Sequence, residues 1–328
     1  MSNSIRTIVV GVASMDDQDP RTPGDADPVL GPAVQLAKAL GAQLHAVHAF
    51  EIPDELASLA PGDPEPHLRA GAGCTYVREL EDRLERQLAS IPGGDAAHCR
   101  AVAGSAADVL CEVAGEVKAE LLVVGASRRG RAWSGILGST ASQVIAASAI
   151  QVLVVHRPFG RLSGRVLLTS DLSVSGWNAL RQGIETARRV NGGASELRCL
   201  HVVDLDPLIA PPVANDVLEA IASARLDRSL EEVGLGPAVV ERRVRMGDAA
   251  REINREALEW GADLVVVGTH GRAGAGPPRA GHVAMAVARG ASCNVLFVRA
   301  SAMGAAAAAR ASRWSDAPPA PGAVLAAS

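Results

Sequence analysis

Two glycine-bearing loops, each set between a hydrophobic run and a helical stretch, hold the residues of this chain best suited to chemistry. One reads Gly268-Thr-His-Gly271 and continues to Gly281-His282; the other carries Gly125, Gly138 and Ser139. Glycine lets a backbone approach a phosphate closely, and free amides at the start of the next helix attract an anion, so both loops are candidate phosphate cradles. His45, His48 and His201 lie on or at the end of β-rich runs. No second ligand cluster of fixed spacing accompanies them, so hydrogen-bonded structural imidazoles are expected rather than metal ligands. No general base, nucleophile pair or acidic pair stands beside either loop, which argues against an enzyme. Asp248 and Ser105, each following a glycine, are expected to cap the next helix, and Trp177 and Trp260 to pack.

The elements that must position these loops come from an internal repeat. Gly104-Ser-Ala-Ala through Leu121-Leu-Val-Val-Gly125 aligns without a gap on Gly247-Asp-Ala-Ala through Leu264-Val-Val-Val-Gly268, an offset of 143 (268 less 125). The same register places Gly138 on Gly281 and Val152-Leu-Val-Val on Val295-Leu-Phe-Val. In the first copy, Thr7 to Val12, Gln43 to Phe50, Cys99 to Ala103, Leu121 to Gly125 and Gln151 to Val155 read as strands. Pro32 to Leu40, Thr75 to Ala89, Ala106 to Val117 and Ser139 to Ala147 read as helices between them. The second copy repeats the order. Its strands lie near Val166 to Ser170, Glu196 to Val203, Val239 to Val244, Leu264 to Gly268 and Asn294 to Val298, with helices near Gly176 to Val190, Asn215 to Val233, Ala249 to Glu259 and Ala280 to Arg289. Strand runs without polar alternation are covered on both faces, so each half should be a parallel sheet between two helical layers. Ligands in such sheets sit beyond the carboxyl ends of the strands, where the strand order reverses.

Composition narrows the function classes. The chain has 328 residues, 48% hydrophobic and 21% charged, with 32 basic against 36 acidic side chains. That is a globular chain of about two domains with no electrostatic reason to bind nucleic acid. Only 2% of residues are aromatic, which leaves few platforms for base stacking. Five scattered cysteines, Cys74, Cys99, Cys111, Cys199 and Cys293, form neither a disulfide framework nor a zinc spacing. The apolar stretch Val144 to Val155 is too short to span a bilayer, and Asp16, Asp17 and Asp19 follow the first apolar run too soon for a secretory signal. A cytoplasmic protein without membrane contact is expected.

At this point the sequence resembles the universal stress protein family in its tandem, two-domain form. The residues that carry the resemblance are Asp171-Leu-Ser, Leu200-His201-Val-Val-Asp204, Ala262 through Gly271, and Val295-Leu-Phe-Val. The resemblance implies an α/β chain of two flavodoxin-like (HUP-type) α/β/α sandwiches, each with a five-stranded parallel sheet. Residues 1–158 and 164–300 would be the two domains, with Phe159 to Ser163 as linker and 301–328 as a low-complexity, flexible tail. It further implies pairing through the last strand, as a homodimer or as a pseudo-dimer inside one chain. If Val152 to Val155 met Val295 to Val298 within the chain, that surface would already be used and a monomer would follow.

A subset of the family binds ATP through G-x2-G-x9-G-[ST], and neither copy matches that motif fully. The second copy has Gly268, Gly271 and Gly281 at the right spacing with His282 in place of the hydroxyl residue, and Pro277 and Pro278 within the loop each remove an amide. Asp171 stands where relatives use an Asp near the nucleotide, and Val202 where the backbone faces the adenine. The first copy keeps Gly125, Gly138 and Ser139, but Arg128 replaces the second glycine and Ala13 the Asp after the first strand. Arg128, Arg129 and Arg131 would block the backbone or grip a phosphate themselves, while the insertion Ser14 to Pro28 brings five Asp close by. The expectation is therefore a non-catalytic stress-response module taking ATP mainly in the second copy, any Mg²⁺ arriving with the nucleotide. A nucleotide-free interaction scaffold is the alternative, and a slow ATPase the third reading.

Overall fold

Ten strands and eight helices alternate along the chain in a computed structural model that describes residues 5–13, 27–52, 72–126, 137–157, 164–190, 196–204, 212–232, 234–235, 239–269 and 281–299. The first copy comprises β1 (Thr7–Val12), α1 (Leu30–Leu40), β2 (Gln43–Phe50), α2 (Ala72–Ala89), β3 (His98–Ala103), α3 (Ala106–Glu116), β4 (Leu121–Gly125), α4 (Ser139–Ala147) and β5 (Gln151–Val155). The second comprises β6 (Arg165–Ser170), α5 (Val174–Val190), β7 (Glu196–Val203), α6 (Pro212–Glu232), β8 (Val240–Met246), α7 (Ala249–Trp260), β9 (Leu264–Gly268), α8 (His282–Gly290) and β10 (Asn294–Val298). The expected elements are present, with ends shifted by a few residues. The linker and the tail lie outside the described residues.

The two parallel sheets are halves of one. The strand order is β3-β2-β1-β4-β5-β10-β9-β6-β7-β8. Every ladder is parallel except the central one, where β5 meets β10 antiparallel with Leu153 opposite Leu296. The last-strand edges thus pair inside the chain, in the arrangement expected of a pseudo-dimer.

Strand alternation feeds two cores. Ile8, Val10, Leu121, Val123, Leu153, Leu296 and Leu168 point to the face covered by α1, α2, α5 and α6. Val9, Leu122, Val124, Val152, Val154, Val295 and Phe297 point to the face covered by α3, α4, α7 and α8. Both cores run unbroken across the seam, so the halves share their apolar interior as well as a ladder.

Several polar groups bond across the seam. Asn294, wholly buried, accepts through Oδ1 from the amides of His156 (2.9 Å) and Arg157 (3.1 Å). Arg299 donates from Nη2 to Ile145 O (2.9 Å) and Ala146 O (3.3 Å) at the end of α4, a place where the helix dipole favours a cation. Gln151 accepts from the Thr186 hydroxyl of α5 at 3.1 Å.

Candidate functional site

In the second copy the strand order reverses between β6 and β9, since β7 lies on the far side of β6. Continuing the ladder Leu168↔Val266 brings Ser170 level with Gly268, so Asp171 follows at the carboxyl edge of the sheet beside the end of β9. Asp171 begins a tight turn. Its Oδ1 accepts from the Ser173 amide (3.0 Å) and hydroxyl (2.6 Å), and the Ser173 oxygen in turn accepts from Gly176 N (3.0 Å). Leu172 between them takes a left-handed backbone (φ 59°), with its amide on the Ser170 hydroxyl at 3.1 Å. Gly176 leaves room for this turn, because a Cβ would stand 2.4 Å from Asp171 Oδ1 and the carboxylate would have to shift. The other carboxylate oxygen, Oδ2, is buried with no hydrogen-bond partner among the described residues. Buried carboxylate oxygens left unmatched are costly, and no donor among the described residues reaches this one.

The start of α8 lies at the same edge of the sheet. Thr269 N donates to Val298 O (3.0 Å) and Gly281 N to Thr269 O (3.0 Å), closing the base of the glycine loop. Gly281 precedes the helix with an extended backbone and no side-chain cap. Met285 N to Gly281 O is the first helical bond, which leaves the amides of His282, Val283 and Ala284 without an intrahelical acceptor. His282 is exposed at that terminus, and Val202 is half-buried at the end of β7. Gly271, Pro277 and Pro278 lie outside the described residues. The fold therefore brings Asp171, Gly268, Gly281 and His282 to one edge of the sheet, with Val202 on the neighbouring strand.

The first copy keeps the loop and rebuilds the turn. Gly138 N donates to Ala126 O at 2.5 Å, and Gly138 precedes α4 as Gly281 precedes α8. Ser139 is exposed on the first turn, and a Cβ on Gly125 would meet nothing within 4 Å. Arg128, Arg129 and Arg131 lie outside the described residues. At the end of β1 the acid is absent from position 13, as the sequence indicates, yet the first copy does have one. Asp27, carried in by the insertion, accepts through Oδ2 from Ala13 N (2.9 Å) and through Oδ1 from Val29 N (3.0 Å), and its own amide donates to Gln87 Oε1 (3.1 Å). Strand-by-strand alignment missed this residue. The signal available was Asp27-Pro28 directly ahead of a helical run, a helix-start pattern.

The remaining candidates are structural. His48 Nδ1 lies 3.0 Å from Val12 O, and His201 Nδ1 lies 2.8 Å from Ser170 O: the same contact in both copies, tying the second strand of each to the end of the first. His45 instead stacks on His98, and burial, the charge on His98 and that on Arg100 all lower its basicity. Asp248 caps α7 through Arg251 N at 2.8 Å. Ser105 does not cap α3 with its side chain, contrary to expectation, although it occupies the same place before the helix. Trp177 is buried, and Trp260 lies beneath the Arg198 guanidinium at 4.3 Å. Burial pushes the Cys199 and Cys293 thiols up to about 12, which makes them poor nucleophiles. Among the described residues no three His, Cys, Asp or Glu are grouped to hold a metal ion, and no helix is long and apolar enough to cross a membrane.

Comparison with known proteins agrees with this architecture. The Universal stress protein family model matches residues 5–156 and again residues 163–299. Universal stress protein A homolog 2 of Coxiella burnetii (strain RSA 493 / Nine Mile phase I) is 45% identical over 56 residues, 17% of this chain and 38% of that relative's length. A functionally unknown protein of Pseudomonas aeruginosa PAO1 superposes with a TM-score of 0.63 at 17% identity, over 94% of this chain and 98% of that one. A universal stress protein of Archaeoglobus fulgidus DSM 4304 gives 0.55 at 15% identity, over 89% and 98%. At such identities the likeness is one of fold.

Proposed function

The chain belongs to the universal stress protein family, as a tandem of two copies, and from that premise we propose that it is a stress-response module that binds adenine nucleotide, ATP above all, in the second copy. The observation that carries the reading is the buried, unmatched Asp171 Oδ2. It stands at the same carboxyl edge of the sheet as the uncapped amides that begin α8. An anion suits the helix terminus, and a hydrogen-bond donor, such as a base amine or a ribose hydroxyl, suits the carboxylate; a nucleotide has both. His282 supplies one N–H where relatives that bind ATP carry a hydroxyl. Mg²⁺ would enter with the phosphates. We read the protein as cytoplasmic and as acting through binding rather than turnover. The hydroxyl beside Asp171 belongs to Ser173, which already donates to Asp171 and accepts from Gly176 N, so it is poorly placed to be activated as a nucleophile.

The test is purification without added nucleotide, denaturation and mass spectrometry of the supernatant, beside calorimetric titration of wild type and Asp171→Ala with Mg-ATP. Titratable ATP whose affinity falls about tenfold or more in the variant is the expected result. Absence of both bound nucleotide and heat at millimolar ATP would discard the reading in favour of a nucleotide-free scaffold. That alternative has an observation of its own, since both copies depart from the ATP motif at Arg128 and His282.

A further inference from the structure

Asp27 and Asp171 hold equivalent places in the two copies. Each stands three residues before the first helix of its half, α1 from Leu30 and α5 from Val174, and each accepts through Oδ1 from the amide two residues on. In the second copy one residue does two things: Asp171 ends the strand and also opens the turn into the helix. The insertion divides these between Ala13, which follows β1, and Asp27, which opens the turn; the Asp27 carboxylate then bonds Ala13 N and rejoins the two points. The consequence lies in the second oxygen. Asp171 Oδ2 is buried and unmatched, whereas Asp27 Oδ2 already holds a chain amide, in a residue that is 8% exposed.

We propose that the first copy takes no nucleotide because its acid is internally satisfied by Ala13 N and Val29 N, so that each chain carries a single nucleotide, in the second copy. The inference rests on the nucleotide reading above. In copy one a ligand donor would have to displace a charge-assisted bond that a backbone amide already makes to this carboxylate. In copy two the same donor meets an oxygen that lacks one. The supporting residues differ to match: Val29 and Pro32 stand where Ser173 and Gly176 stand in copy two, so the first copy has neither the hydroxyl nor the amide of that turn.

Titration of the full chain with Mg-ATP, followed by amide NMR and by calorimetry, tests this. The amides of Asp171, Thr269 and His282 should move, those of Ala13, Val29 and Gly125 should not, and the stoichiometry should be one. Movement of both sets, or a stoichiometry of two, overturns the proposal while leaving nucleotide binding intact. If neither set moves and no heat appears, the nucleotide reading falls first. The Asp27 contacts are then judged without ligand, by hydrogen exchange in Asp27→Ala. Ala13 and Val29 amides should exchange at least about tenfold faster than in wild type, and unchanged rates would overturn the claim that this carboxylate is already occupied.

Discussion

The two copies agree where backbone geometry decides and differ where side-chain polarity does. Strand order, helix layers and the histidine that ties the second strand to the first, His48 or His201, recur in both. The first turn differs, as does the layer between the third helix and the outer strands. In copy two Glu256 of α7, 2% exposed, bonds Arg198 of β7 at 2.6 Å and pairs with Arg245 of β8. Arg245 also reaches Glu252 and Glu259, and Arg198 reaches Glu241. The matching positions of copy one are Val113, His45 and Val102. One fold thus accommodates two valines and an imidazole in one half and a buried ion network in the other. The lesson is that layer architecture constrains burial and volume, while several solutions satisfy the charges inside it.

That contrast can be broken at several points. The largest effect is expected from Glu256→Ala, which takes away the buried partner of Arg198, leaving it Glu241 alone, and removes one of three carboxylates around Arg245. A loss of about 3–5 kcal/mol in urea unfolding is expected, against about 1–3 kcal/mol for Val113→Ala at the matching place. Equal losses would mean that the network contributes no more than packing does.

The seam is the next place to look. Burial pushes the His156 imidazole down to about 4 from the usual 6.5, whereas its counterpart in copy two is Arg299. With the folded value below the unfolded one, the unfolded chain takes up the proton first. Stability is therefore full above about pH 6.5 and falls as pH drops toward 4, by at most about 3 kcal/mol. His156→Gln should flatten the melting temperature over that window, and an unaltered slope would remove His156 as its source.

A smaller change sharpens the site comparison. In Gly176→Ala the new methyl must displace the Asp171 carboxylate, so a loss of about 1–3 kcal/mol together with weakened ATP binding is expected. Retention of wild-type affinity would show that Asp171 need not hold its place. The smallest effect concerns the caps. Asp248→Ala should cost about 1 kcal/mol, because its carboxylate holds Arg251 N, while Ser105→Ala should stay within about 0.5 kcal/mol, and matching values from thermal melts would contradict the difference in geometry.

Much of the fold was legible in the sequence because apolar runs such as Leu121-Leu-Val-Val and Leu264-Val-Val-Val, and the fixed offset between copies, are local patterns. The glycines of both loops were legible for the same reason. Asp27 was not, because the insertion moves it far along the chain from the strand end whose amide it serves. The failed cap at Ser105 was equally hidden, since a residue in the right place still chooses its rotamer by what surrounds it.

By itself the sequence determined the two α/β repeats, their strand and helix content, and the membership of Gly125, Gly138, Gly268 and Gly281 in paired loops. Hydrophobic periodicity and turn chemistry act over a few residues, so they survive in a one-dimensional reading. Only the tertiary structure decided that the two sheets fuse through Leu153 and Leu296, and that Asn294 and Arg299 cross the seam to do it. It alone decided that one aspartate is matched and the other is not. Those outcomes depend on which donors and acceptors distant segments bring within about 3 Å of each other, a distance no spacing along the chain encodes.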